Sequence, residues 1–99
     1  GTPAEGATGV GVTPTFAWNG VTGAARYWIV VFDDEDLGWI KWVILTNGPV
    51  TSLQYGSSDG SVLYSPESLQ QGTGYSWELY AYDQYYRCIG DRGDYDFTP

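Results

Sequence analysis

Leu69-Gln70-Gln71-Gly72-Thr73-Gly74-Tyr75-Ser76-Trp77-Glu78-Leu79-Tyr80-Ala81-Tyr82-Asp83 is the stretch on which the fold turns. A glycine-marked loop runs into eight residues of period two. Tyr75, Trp77, Leu79 and Ala81 fall on one side, and Ser76, Glu78, Tyr80 and Tyr82 on the other. Successive side chains of a strand point to opposite faces, so this alternation predicts a strand over 75–83 with one strongly apolar face.

Arg26 to Asp34 repeats the pattern with more apolar residues. Tyr27, Ile29 and Val31 share one face, and Trp28, Val30 and Phe32 the other. Both faces are apolar, whereas a strand wetted on one side alternates with polar residues. A third strand is expected over Trp39–Leu45, with Trp39, Lys41 and Val43 outward and Ile40, Trp42 and Ile44 inward. Shorter strands are expected at Thr15–Trp18, Val50–Tyr55, Ser61–Tyr64 and Asp94–Thr98. The segment 84–93 reads as a long polar loop. Ser65-Pro66-Glu67 imitates a helix start, but Gly72 follows so soon that one turn is the most it allows.

Ninety-nine residues make one domain with a core that needs no metal or disulfide. Seventeen aromatic residues and fourteen glycines favour pleated strands joined by turns. The fold class is therefore all-β: an Ig-like antiparallel β-sandwich of about seven strands. Residues 1–13 are expected as linker and N-terminal edge strand, with the sandwich over 14–99. The chain starts at Gly1 and has no methionine, so it is expected to be a piece of a larger protein.

Several segments resemble a fibronectin type III domain. Leu69-x-x-Gly72-Thr73-x-Tyr75-x-Trp77-x-Leu79-x-Ala81 is similar to that family's tyrosine corner, with Gln71 where a proline is usual. Pro14-Thr15-Phe16-Ala17-Trp18 resembles its second strand, whose tryptophan sits at the core centre. Val21-Thr22-Gly23-Ala24 followed by Tyr27-x-Ile29-x-Val31 resembles its third, and Phe97-Thr98 its ending. The resemblance covers the chain from about Pro14 onward, apart from 39–64. Its tryptophan-rich flavour looks like bacterial surface and secreted variants. It implies an extracellular or cell-surface location and a non-catalytic module that spaces or docks domains. The implied partners are neighbouring domains of the same protein or another protein.

The chemistry of the chain points the same way. With no histidine and Cys88 as its one thiol, it lacks Ser/His and Cys/His nucleophilic arrangements and the usual zinc ligands. No enzyme activity and no cofactor are expected. A net charge of −8 opposes nucleic-acid backbones and anionic lipid, and no apolar run is long enough to insert in a membrane.

Three sites are candidates. The first follows from the resemblance, which implies that the Tyr27 and Tyr75 strands are neighbours in one sheet: an outward aromatic face of Trp28, Phe32, Trp39, Tyr80 and Tyr82 with Asp94 and Asp96 beside it. Such a face is covered by the chain itself, by a protein partner, or by a polysaccharide whose sugar rings stack on it. The second is Arg92-Gly93-Asp94, placed by the resemblance where adhesive members carry an integrin-binding motif; a solvated turn is the plain alternative. The third is Asp34-x-Asp36-x-Gly38, a fragment of a calcium loop that lacks most of the oxygen ligands calcium takes. No metal is expected there. Cys88 is expected as a small loop hydrophobe, with an intermolecular disulfide as the alternative.

Overall fold

A computed structural model describes residues 2–34 and 39–99, and of 92–94 the backbone only. The chain is all-β, with eight strands and no helix among the described residues. The strands are β1 (Ala7–Thr8), β2 (Thr15–Ala17), β3 (Arg26–Asp33), β4 (Ile40–Thr46), β5 (Ser52–Gln54), β6 (Gly60–Tyr64), β7 (Tyr75–Tyr82) and β8 (Cys88–Thr98). Six form one sheet in the order β1-β8-β7-β3-β4-β6, and β2 and β5 form a separate pair.

β3 and β7 pair without interruption from Arg26↔Tyr82 to Asp33↔Tyr75. This puts their predicted apolar faces on the same side. Tyr27, Ile29, Val31, Tyr75, Trp77, Leu79 and Ala81 are all buried. Onto them folds the small sheet. Phe16 of β2 brings its ring to 5.1 Å from Trp77, 5.8 Å from Phe97 and 6.2 Å from Trp42, centroid to centroid. These are the offset and edge contacts that aromatic quadrupoles favour. Phe16, rather than Trp18, is thus the central residue; Trp18 packs edge-on against Tyr27 at 5.3 Å.

The Leu69–Tyr75 loop is anchored at both ends. Leu69 is buried, Gly72 has the positive φ that favours glycine, and the Gln70 N–H donates to the Tyr75 hydroxyl at 2.8 Å. That bond ties the loop to the first residue of β7.

Several expectations need correction. Pairing is not antiparallel throughout, because β1 runs parallel to β8 through Ala7↔Phe97 and Thr8↔Thr98. The N-terminal segment also reaches the other sheet, where Thr2 bridges Ala17. Pro3 offers its carbonyl to the buried Trp77 indole N–H at 3.2 Å. Two sheets thus hold a segment expected as linker and edge strand.

The polar loop before the last strand is shorter than expected, because β8 already starts at Cys88. Register shifts at Trp77/Leu79 and Ala81/Tyr82 absorb the residues that break its alternation. No helical turn forms at 65–67. There the Glu67 N–H donates to the Lys41 carbonyl, and the Tyr55 hydroxyl donates to the Glu67 carbonyl at 2.5 Å, tying the segment beside β4.

Ile40 is not inward. β4 carries one extra residue at Lys41, so Ile40 pairs with Phe32 on the outer side and is exposed. Conversely, Val43 lies on the outer side but is buried, in register between Val30 and Tyr64.

Candidate functional site

The outer face of the six-stranded sheet is where the candidate residues meet. β3 contributes Trp28, Val30 and Phe32, and β7 contributes Ser76, Glu78, Tyr80 and Tyr82. Registers Trp28↔Tyr80 and Val30↔Glu78 set them side by side. Directly opposed side chains on one face interact, so the rows across the sheet are real neighbours. The Trp28 and Tyr82 rings lie 6.4 Å apart. Both rings, with Phe32 and Tyr80, are half-buried. On the β4 side the rows continue through Ile40, Val43 and Leu45.

Trp39 is 62% exposed and stands just before β4, with its carbonyl accepting the Asp33 N–H at 2.8 Å. The row beside Phe32 belongs to Ile40 instead, because of the extra residue at Lys41.

Carboxylates lie within and beside the face. Glu78 accepts a hydrogen bond from the Tyr80 hydroxyl. Asp91 stands opposite Tyr80, and Asp96 opposite Ser76. Ser76 is only 2% exposed, because its hydroxyl lies 2.5 Å from a carboxylate oxygen of Asp34 and 2.5 Å from one of Asp96. A hydroxyl carries one proton and donates to one of the two at a time. The backbone N–H of Asp96 is taken by the Glu5 carboxylate at 3.0 Å. The Asp34 neighbourhood is thus built against β8, a link that sequence spacing does not reveal. Among the described residues no group of three or more histidine, cysteine or carboxylate side chains is arranged to hold a metal ion. Asp36 lies outside the described residues.

Arg92-Gly93-Asp94 falls within β8 rather than in the loop before it, with Arg92 opposite Leu79. The side chains of 92–94, and with them the place of Asp94 on the aromatic face, lie outside the described residues. Cys88 is exposed at the start of the same strand, opposite Tyr82.

Sequence reasoning passed over the turn between β7 and β8. Tyr85 and Tyr86 are 68% and 63% exposed there, and Tyr86 has a φ of 61°, a region that side chains other than glycine seldom adopt. Asp83 organises this turn. Its carboxylate accepts the backbone N–H groups of Tyr85 and Arg87 and pairs with the Arg87 guanidinium at 2.7 Å. These bonds, led by the Arg87 backbone N–H, hold the Asp83 carboxyl below its ordinary pKa. The Arg26 guanidinium, on the outer face, lies 4.2 Å from the centre of the Tyr86 ring. The signal was available: two adjacent tyrosines between Asp83 and Arg87.

On the other side of the molecule a hollow of about 650 Å³ lies along β2 and β5. Its lining is mostly hydroxyl and amide groups, including Thr13, Thr15, Ser52, Gln54 and Ser57, with Asp59 at one end. A comparison of the chain with protein-family models, with curated proteins and with solved structures finds no match.

Proposed function

We propose that the chain is a non-catalytic interaction module, a fibronectin type III-like β-sandwich within a larger secreted or cell-surface protein. It docks a neighbouring domain or another protein through the outer face of its six-stranded sheet. One observation carries this reading. Trp28, Phe32, Tyr80 and Tyr82 gather in adjacent rows while remaining only half-buried. Aromatic residues at the centre of a patch with a charged rim are the composition of protein interfaces. Asp91 and Asp96 on β8 supply charge at its edge, and Glu78 lies among the aromatic rows. The tyrosine corner and the Phe16-centred core support the family layout.

Hydroxyl-radical footprinting of the isolated chain and of the longer protein containing it tests the reading. Oxidation of Trp28, Tyr80 and Tyr82 should fall severalfold in the longer protein or on adding the partner. Unchanged oxidation in both would overturn it.

A second reading is a carbohydrate-binding module. The half-buried Trp28–Tyr82 pair favours it, with the Glu78 carboxylate on the same face. Retention of a polysaccharide by the chain, lost in Trp28→Ala, is the outcome that selects it.

A further inference from the structure

The two edges of the six-stranded sheet are finished differently. The β8 edge is blunted. Glu5 takes the Asp96 N–H, the Gly6 N–H donates to the Asp96 carbonyl at 2.7 Å, β1 pairs with 97–98, and the strand carries Asp91, Arg92, Asp94 and Asp96. The β6 edge has none of this. Among the described residues β6 pairs with β4 alone. Its sequence Gly60-Ser61-Val62-Leu63-Tyr64 carries no charge and no proline, and Ser61 to Tyr64 are all exposed. Leu63, at 53%, is more exposed than any other leucine, isoleucine or valine among the described residues. Edge strands normally carry charges, proline or a cover, because their unpaired N–H and C=O groups template another strand.

We infer that β6 is a strand-addition site for an extended, basic-flanked polypeptide segment of another chain. The backbone of an edge fixes the class of ligand. Only an extended peptide answers a row of alternating donors and acceptors, while side-chain contacts give selectivity. Charge selects among peptides. Asp59 and Glu67, both exposed, flank β6 at its two ends, and the whole chain carries −8. Lysine or arginine at the ends of the incoming segment complements them.

A second copy of this chain fits less well. It brings the same carboxylates and another −8, and a five-residue edge buries far less than the roughly 1,600 Å² of a standard stable interface. Leu63 is the extra residue where the β4–β6 register shifts, and this bulge limits the run of continuous pairing. The contact is accordingly weak and reversible. It is separate from the aromatic face and stands whether or not that face docks anything.

Amide NMR of the full chain tests this with two probes: an eight-residue peptide of alternating threonine and valine with lysine at both ends, and its twin with glutamate at both ends. The lysine peptide should shift the amides of 60–64 and bind about five- to tenfold more tightly than its twin, as two exposed ion pairs allow. The double variant Asp59→Lys, Glu67→Lys should reverse that order. Its two sites are exposed, so the fold is retained. Leu63→Pro should abolish binding of both peptides. If that variant does not fold, Leu63→Lys should still weaken binding of the lysine peptide. Trp28→Ala should leave binding unchanged, which separates this site from the aromatic face. Three outcomes overturn the inference. They are no shift at millimolar peptide, equal binding of the twins, and concentration-dependent shifts of 60–64 in the chain alone, which would make a second copy the occupant.

Discussion

The two faces of the six-stranded sheet are built from similar residues and are covered to different degrees. The inner face carries Tyr27, Ile29, Val31, Trp42, Tyr75 and Trp77, each at 1% exposure or less. The outer face carries Trp28, Val30, Phe32, Tyr80 and Tyr82, each half-buried by its lateral neighbours and open on top. Composition alone does not separate them, since both are aromatic and aliphatic. What separates them is the small sheet. β2 and β5 cover one side with Phe16 and Leu53, joined by Tyr55 just after β5, and no strand among the described residues covers the other. A core position is thus defined by what lies across from it, and an apolar strand face by itself shows only the capacity to be covered.

Matched truncations break or sharpen this contrast. Trp77→Ala on the inner face should cost about 3–5 kcal/mol, since it removes a fully buried indole from a close-packed cluster and leaves a cavity. Trp28→Ala on the outer face should cost about 1 kcal/mol or less, because its site is already open to water. Urea unfolding followed by circular dichroism measures both. Equal losses would mean that the outer face is part of the core in solution.

Hydroxyls at the margins of the core come next. Tyr55 places its hydroxyl between the carbonyls of Glu67 and Lys41, at 2.5 and 3.2 Å. Tyr55→Phe leaves the Glu67 carbonyl without this donor, while the Lys41 carbonyl keeps the Glu67 N–H, and should cost about 1–3 kcal/mol. Burial raises the pKa of this phenol well above its ordinary value of 10. The folded state therefore holds the proton where the unfolded chain releases it. The associated stability is fully present below pH 10 and is lost as pH rises beyond it toward the folded pKa. Tyr55→Phe should flatten that alkaline loss in denaturation midpoints measured across pH 9–11. Tyr75→Phe removes the acceptor of the Gln70 N–H and should cost about 1 kcal/mol, read in the same assay.

The smallest effect belongs to the β7–β8 turn. Asp83→Asn loses the Arg87 pair and weakens the bonds to two backbone amides, all at the surface. Global stability should barely move, while amide exchange at Tyr85 and Arg87 speeds up. The Asp83 pKa is lowered, so the turn should stay ordered above the usual carboxylate range and loosen as pH falls through the folded value. The variant should lack that acid dependence.

β3 and β7 were legible because uninterrupted alternation survives on both, and their full register preserves it. Leu69, Gly72 and Tyr75 were legible because a loop that needs a plug, a positive φ and an anchoring hydroxyl leaves those residue types at fixed spacing. Ile40 and the start of β8 were misread at bulges. One extra residue inverts the faces beyond it, and no single residue type marks where that happens. The extended path of 65–67 depends on Tyr55, twelve residues before Glu67, so local helix-start chemistry there gave way to a tertiary contact. Alternation sorted the side chains of β3 and β7 onto two faces, and the pairing of the two strands, expected from the resemblance, set those faces side by side. The exposed tyrosines of the β7–β8 turn went unweighted because they follow no period.

The parallel pairing of β1 with β8 has a mechanical consequence. Tension applied to the chain pulls β1 from its N-terminal side and β8 from its C-terminal side. In a parallel pair those pulls are opposed along the strands. The Ala7↔Phe97 and Thr8↔Thr98 rungs, and the bond from Gly6 to Asp96, are then loaded in shear and must yield together. An antiparallel terminal pair would instead open from one end, one rung at a time. The short N-terminal strand therefore acts as a clasp, and a module with such a clasp resists being drawn out by its ends.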